Sequence, residues 1–151
     1  MRKTIKFWSP AKDNGFLSNF YISPFTLDNY MWDSVEHYYQ ANKFEDRQLQ
    51  SMIRNQVKPK LAAKMGRRKD LPMRENWEEI KEEVMFNALY AKFSQNYALR
   101  ERLLDTGDAF LIEDSPFDYY WGWGKTGKGK NRLGHLLMEV RKKLSDEDFI
   151  W

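Results

Sequence analysis

The segment SVEHYYQANKF, residues 34–44, carries a carboxylate, an amide and an amine at Glu36, Gln40 and Lys43. At about 100° per residue, these three fall within roughly 60° of one another on one helical stripe. Val35 and Tyr39 flank the stripe on one side and Phe44 on the other. A polar stripe between apolar flanks fits either a helix that lines a cleft or an ordinary solvated face. In a partly dry aromatic cleft, burial raises a carboxyl pKa and lowers a lysine pKa, while their mutual attraction opposes both shifts. There Glu36 would activate water or stabilise positive charge on a sugar carbon. Lys43 would hold a phosphate, or attack an aldehyde-like carbon to form a Schiff base.

A second set of reactive types lies in DYYWGWGKTGKGKNRLG, residues 118–134. Asp118 beside Trp121 and Trp123 is either an acid–base group or a turn-capping aspartate. Gly122 and Gly124 let backbone approach a flat ligand closely. Asn131 is placed to cap the final helix, whose N-terminus attracts anions. Read literally, GWGKTG satisfies G-x-G-x-x-G, and Gly122–Lys128 satisfies the first seven positions of a P-loop. Both matches fail in context. The residues before them are DSPFDYYW instead of a buried apolar strand, and Gly129 stands where a P-loop needs Ser or Thr.

The elements that must hold these groups are legible from periodicity. TIKFW (4–8) and FYISPFTL (20–27) read as short strands, the second irregular or at an edge because of Pro24. DNG (13–15) and LDNY (27–30) supply turns. Ser34 is the expected N-cap of a helix through Asp46. A second helix is predicted over Arg47–Val57, and a third opens at Pro59 and closes near Gly66. The longest helix runs Trp77–Asn96, with Ile80, Val84, Met85, Ala88, Leu89 and Phe93 on its apolar face. A short helix, Ala98–Leu104, stops near Gly107, and Ala109–Glu113 is strand-like. The last helix starts near Asn131, with Leu133, Leu136, Leu137, Val140 and Leu144 at core spacing, and the acidic tail SDEDFIW is expected to fray. Without alternating βαβ units, this pattern predicts an α+β, mainly helical single compact domain over residues 1–151.

Composition narrows the chemistry. An aromatic fraction of 16% leaves rings for a core and for a flat-ligand pocket. There is no cysteine, and His37 and His135 are the only histidines, without an H-E-x-x-H pair. Disulfide scaffolds, thiolate zinc sites and zinc-hydrolase motifs are therefore excluded. The N-terminus lacks a signal-peptide core and no stretch is apolar enough to span a membrane, so a cytoplasmic location without membrane association is expected. The net charge of +3 is mild. Its basic clusters, KMGRRK (64–69) and KTGKGKNR (125–132), are either solvated surface or phosphate contacts.

Taken together, GFLSNFYISPFTLDNYMWDSVEHYYQANKF, AAKMGRR, NWEEIKEEVMFNALYAKF and LIEDSPFDYYWGWGKTGKGKNRLGHLLMEVR follow, in order, the blocks of the NADAR family. The resemblance covers nearly the whole chain. It implies a metal-free, cofactor-free N-glycosidase in a mainly helical α+β domain. Its substrate would be a phosphorylated ribosylamino-pyrimidine intermediate of riboflavin synthesis, or ADP-ribosylated guanine in nucleic acid. By motif match it implies Glu36 as the essential acid, Lys43 as the covalent contact to ribose, and Asp118 as a third catalytic group. Asn19, Phe20, Trp32, Gln40, Arg67, Trp121, Gly122 and Asn131 are its implied substrate-binding residues. The alternative is a non-catalytic module that binds ADP-ribose or nucleic acid with the same aromatics and basic loop.

Overall fold

Thr4–Phe7, rich in β-branched and aromatic side chains, extends as strand β1. Its partner lies near the other end of the chain. Strand β4 (Phe110–Glu113) runs parallel to β1, with Thr4 opposite Phe110 and Phe7 opposite Glu113. The computed structural model describes residues 2–149, which form two compact units. This strand pair belongs to the first, built from the segments up to Ser18 and from Phe93 onward.

Helix α6 (Arg132–Phe149) covers β4 and buries Leu133, Leu136, Leu137, Val140 and Leu144, the stripe expected from their spacing. Helix α5 (Tyr97–Leu104) packs on α6. The tail expected to fray is helical through Phe149, while Ile150 and Trp151 lie outside the described residues. Its acidic residues find cations within reach: Lys142 pairs with Asp146 at 3.0 Å, Lys143 with Glu147 at 4.0 Å, and Arg100 with Asp148. Such i,i+4 pairs contribute a few tenths of a kcal/mol each (about 0.3–0.5), enough to hold a final turn.

The second unit is Asn19–Lys92. Strands β2 (Phe25–Leu27) and β3 (Tyr30–Trp32) form an antiparallel hairpin around Asp28 and Asn29, both left-handed at φ 54° and 70°. Two left-handed central residues define the tight hairpin turn whose twist matches the strands. The strand expected over residues 20–27 is confined to Phe25–Leu27, because Pro24 has no N–H to give a ladder.

Helix α1 (Val35–Ala41) starts where expected, with Ser34 Oγ accepting from the His37 N–H at 3.2 Å. It ends five residues before the expected Asp46. Asp46 is instead the N-cap of α2 (Arg47–Arg54), accepting from Gln48 and Leu49 N–H groups. An aspartate that can cap two free N–H groups is worth more outside a helix than within one. α3 (Pro59–Gly66) follows, then α4 (Trp77–Gln95), which begins in this unit. α1 packs against both α2 and α3 over Val35, Ala41, Ile53 and Ala62, each fully buried. Six helices and four short strands among the described residues make the fold α+β and mainly helical.

Candidate active site

The α1 stripe is a buried one, so the solvated reading of it is excluded. Glu36 is 5% exposed and Gln40 2%, and their flanks Val35, Tyr39 and Phe44 are buried as well. Glu36 sits in the first turn, where the positive end of the helix favours a carboxylate. Its N–H, one of the donors a helix start leaves unmatched, is taken by the Asn19 carbonyl at 3.1 Å. Gln40 Nε2, one turn on, donates to Glu36 Oε2 at 2.7 Å and fixes the carboxylate's rotamer. The other end of that amide rests on Gly66, the last residue of α3. A Cβ there would stand 2.2 Å from Gln40 Oε1, so only glycine lets α3 come this close.

Lys43 lies two residues beyond the end of α1, in a turn that continues the winding: its N–H reaches the Gln40 carbonyl at 3.3 Å. The side chain is half-buried, 5.7 Å from the centre of the Tyr39 ring. Its Nζ makes a long 3.5 Å contact to the Gly66 carbonyl. Burial holds the Lys43 pKa below the ordinary lysine value; the nearby Arg67 and Lys81 charges lower it further, and Glu36 opposes them. A loosely held amine of reduced basicity exposes its lone pair at lower pH than a surface lysine does, as a nucleophile for a sugar carbon requires.

The other expected residues of this unit divide by environment. Asn19 is buried, with Nδ2 on Met85 Sδ at 3.5 Å and Oδ1 lacking a hydrogen bond among the described residues. Buried acceptors are rarely left unmatched, so Asn19 Oδ1 is available to a ligand donor. Phe20 is half-buried and Arg67, at the C-cap of α3, is exposed. Trp32 is 3% exposed and belongs to the hairpin core: its Nε1 donates to the Leu27 carbonyl at 2.9 Å and its ring meets Tyr38 edge-on at 5.0 Å. His37 is fully buried and spent, between Ser34 Oγ (2.7 Å) and the Gln56 carbonyl (2.9 Å).

The loop before α6 is built in the first unit. Asp118 Oδ1 accepts from the N–H groups of Tyr120 (2.9 Å) and Trp121 (2.8 Å), the turn-capping arrangement, which leaves Oδ2 for other work. Asn131, left-handed at φ 50°, clamps the loop to β4. Its Oδ1 accepts from Glu113 N–H at 3.0 Å, its Nδ2 donates to the Leu111 carbonyl at 2.9 Å, and its N–H reaches the Gly122 carbonyl at 2.9 Å. The side chain of Asn131 is thus directed at β4, and the backbone carbonyl is what receives the first helical N–H, from His135 at 3.1 Å. Gly124, at φ 71°, passes under the Tyr119 ring, 2.3 Å from where a Cβ would be. Trp121 and Gly122 are buried, whereas Lys125, Lys128 and Lys130 are exposed. α6 begins only at Arg132, so the glycine segment does not open a helix as either nucleotide motif requires.

The NADAR domain family matches residues 6–145. The chain belongs to the NADAR family. This NADAR chain is 49% identical over 143 residues to N-glycosidase YbiA of Escherichia coli K12, covering 95% of itself and 89% of that protein. It is 40% identical to riboflavin biosynthesis protein VVA0006 of Vibrio vulnificus, matching 97% of its own length and 40% of that longer chain. The NMR structure of E. coli YbiA superimposes with a TM-score of 0.91 at 48% identity, over 99% of this chain and 89% of that one.

One group in this NADAR chain is absent from the sequence-derived set. Lys92 on α4 is completely buried, 5.6 Å from the centre of the Tyr21 ring, and burial pushes its pKa down to about 7. The signal was present in the sequence: Lys92 follows Ala88 and Leu89 at i+4 and i+3, inside the apolar stripe of α4.

Proposed function

We propose that this NADAR chain hydrolyses the N-ribosyl bond of a phosphorylated, nucleotide-like substrate. That it is an N-glycosidase follows from its 49% identity to enzymes of that name. The observation that carries the chemistry is Glu36, buried and oriented by Gln40, on the same turn-and-helix segment as a lysine whose proton affinity burial has reduced.

As the C1′–N bond breaks, its electron pair goes to the base nitrogen, which takes a proton, and positive charge develops at C1′. Glu36 stabilises that charge from within a water-poor site, where a fixed carboxylate acts most strongly. Lys43 Nζ adds to the C1′ cation and gives up a proton; the C1′–O4′ bond then breaks, O4′ takes a proton and a protonated Schiff base forms, and water adds to its C1′ to restore the free amine and release the ribose. Asn19 Oδ1 accepts from a ribose hydroxyl, and exposed Arg67 meets the phosphate. The loop before α6, in the first unit, carries Trp121, an Asp118 whose Oδ2 is uncommitted, and exposed lysines. The name of the Vibrio vulnificus relative supports a ribosylamino-pyrimidine phosphate as the substrate. The exposed basic residues of the loop are the feature that supports ADP-ribosylated guanine in nucleic acid instead.

Separate incubation with each substrate, scored by released base, tests both. Glu36→Gln and Lys43→Ala are expected to abolish release while the thermal midpoint stays near native, and full activity in both variants would refute the reading. Borohydride trapping should leave a ribose adduct on Lys43; an adduct mapped to Lys92 would transfer the covalent role there.

A further inference from the structure

Outside the Glu36–Lys43 cluster, the β2–β3 hairpin and α2 enclose a cleft of about 430 Å3. One wall is aromatic, Tyr30 and Trp32; the other is the face of α2 that carries Arg47, Gln50, Ser51 and Arg54. These four stand at i, i+3, i+4 and i+7 on one side of a single helix, and Asp28, Asn29 and Asn42 complete the polar lining. Glu36, Gln40 and Lys43 do not line it.

The cleft is built rather than incidental. The hairpin wall is rigid: its turn residues hold the left-handed pair, Trp32 Nε1 is tied to the Leu27 carbonyl, and Tyr38 Oη donates to Asp28 Oδ2 at 2.6 Å. The Arg54 guanidinium carbon lies 3.9 Å from the centre of the Tyr30 ring and 5.4 Å from that of Trp32. That contact holds the Arg54 guanidinium beside the aromatic wall, and Arg54 lines the cleft with it. Among the described residues neither Arg47 nor Arg54 donates a side-chain hydrogen bond or enters a salt bridge. The one carboxylate on the cleft, Asp28, already accepts from Tyr38, so the two arginines set its sign.

We propose that this cleft is a second binding site, for a phosphate carried on a nucleotide. The free N–H edges of Arg47 and Arg54 form the forked donor set that phosphate oxygens accept. The outer face of Arg54, backed by Tyr30, is a platform on which a base stacks. A volume of this size suits one nucleotide. The site works independently of the glycosidase chemistry, because no residue of that chemistry lines it.

Amide chemical shifts of 15N-labelled protein, in native and Glu36→Gln forms, test the site with AMP, inorganic phosphate, a short single-stranded DNA and a hexaglutamate peptide. AMP is expected to shift the amides of Tyr30, Asn42, Ser51 and Arg54 in both forms. Arg47→Gln, an exposed residue without contacts to lose, should weaken AMP binding at least tenfold and leave base release unchanged; Arg54→Gln should do the same. DNA that binds more tightly than AMP, with affinity falling steeply with salt, identifies a polynucleotide as the source of the phosphate. Equal affinities identify a free nucleotide. No shift at millimolar AMP or DNA, shifts from hexaglutamate as large as those from AMP, or native affinity in Arg47→Gln would overturn the proposal.

Discussion

Replacing Gly66 with alanine tests whether the close approach of α3 to α1 sets the reacting groups. The new Cβ would stand 2.2 Å from Gln40 Oε1, 2.9 Å from its Cδ and 2.7 Å from its Cβ. Rotating the Gln40 side chain relieves the first two contacts but not the third, since Cβ is fixed to the α1 backbone. Carbon atoms rest about 3.5–4.0 Å apart, so the helices must separate by roughly half an ångström or more. Overpacking of this kind costs about 1–3 kcal/mol. If Gln40 swings away, the charge-assisted bond to Glu36 is lost as well, about 1.5–3 kcal/mol. In a chain of this size each kcal/mol lowers the melting point by about 2–4 °C, so a fall on the order of 5–15 °C is expected. Catalysis should suffer more sharply. Gly66 touches both partners, the Gln40 amide that orients Glu36 and, through its carbonyl, Lys43 Nζ. Displacing reacting groups by an ångström costs about a hundredfold in rate, and kcat is expected to fall by that order with KM little changed. The assay is base release at saturating substrate, alongside differential scanning calorimetry. Adding Gln40→Ala removes the Oε1 and Cδ contacts but keeps the Cβ contact and does not restore the Glu36 hydrogen bond, so the double variant should regain little melting temperature and no turnover. Native kcat in Gly66→Ala, or native turnover in the double variant, would refute the positioning argument.

The depressed lysines give two further predictions. Lys81 lowers the Lys43 pKa and Glu36 raises it. Lys81→Met should therefore move the ascending limb of the pH–kcat/KM profile to higher pH, and an unmoved limb would show that free Lys43 amine does not govern the step. Lys92 binds its proton less well folded than unfolded, so between about pH 7 and the ordinary lysine value the unfolded chain holds more protons and stability rises with pH. Lys92→Met abolishes that slope, and its stability relative to the native protein should be greater at pH 6 than at pH 10 in urea titrations; a difference independent of pH would contradict the buried-ammonium argument.

Much of the site was legible because helical spacing and burial agree. Glu36 and Gln40 are one turn apart on a helix whose N-cap, Ser34, is a strong local signal; their apolar flanks left a cleft-lining and a solvated face both open, and the structure buries the pair. The early end of α1 was not legible in the same way. Asp46 can sit in a helix or cap the next one, and nothing local states that it caps α2; yet Lys43 reaches Gly66 only because the chain turns there. Trp32 entered as a substrate contact through the resemblance alone; the acceptor for its Nε1 is a carbonyl on the facing strand, visible only once the hairpin is paired. The β1–β4 pairing joins opposite ends of the chain, a contact that periodicity within a window cannot announce.

The loop before α6 shows why residue type underdetermines role even within a correctly identified block. Asp118 and Asn131 are polar residues beside tryptophans, and both invite a chemical reading. In the structure Asp118 spends one oxygen on two backbone N–H groups, and Asn131 spends both ends of its amide on β4. The left-handed Asn131 is where the chain must stop wandering and enter α6, and its clamp fixes Gly122 and Trp121 against the strand. Glycine adds backbone freedom and exposed lysines add little packing, so the loop's shape depends on such ties, with Trp123 Nε1 donating to Asp114 Oδ1 at 2.8 Å and Lys130 N–H to the Tyr119 carbonyl at 2.9 Å. The nucleotide-motif matches also fail here because no helix N-terminus opens among their glycines; Gly124 is set instead by its close approach to Tyr119 and Gly122 by the Asn131 clamp. The residues that look most reactive in this loop are thus the ones that give it a shape, while Lys125, Lys128 and Lys130 stay exposed.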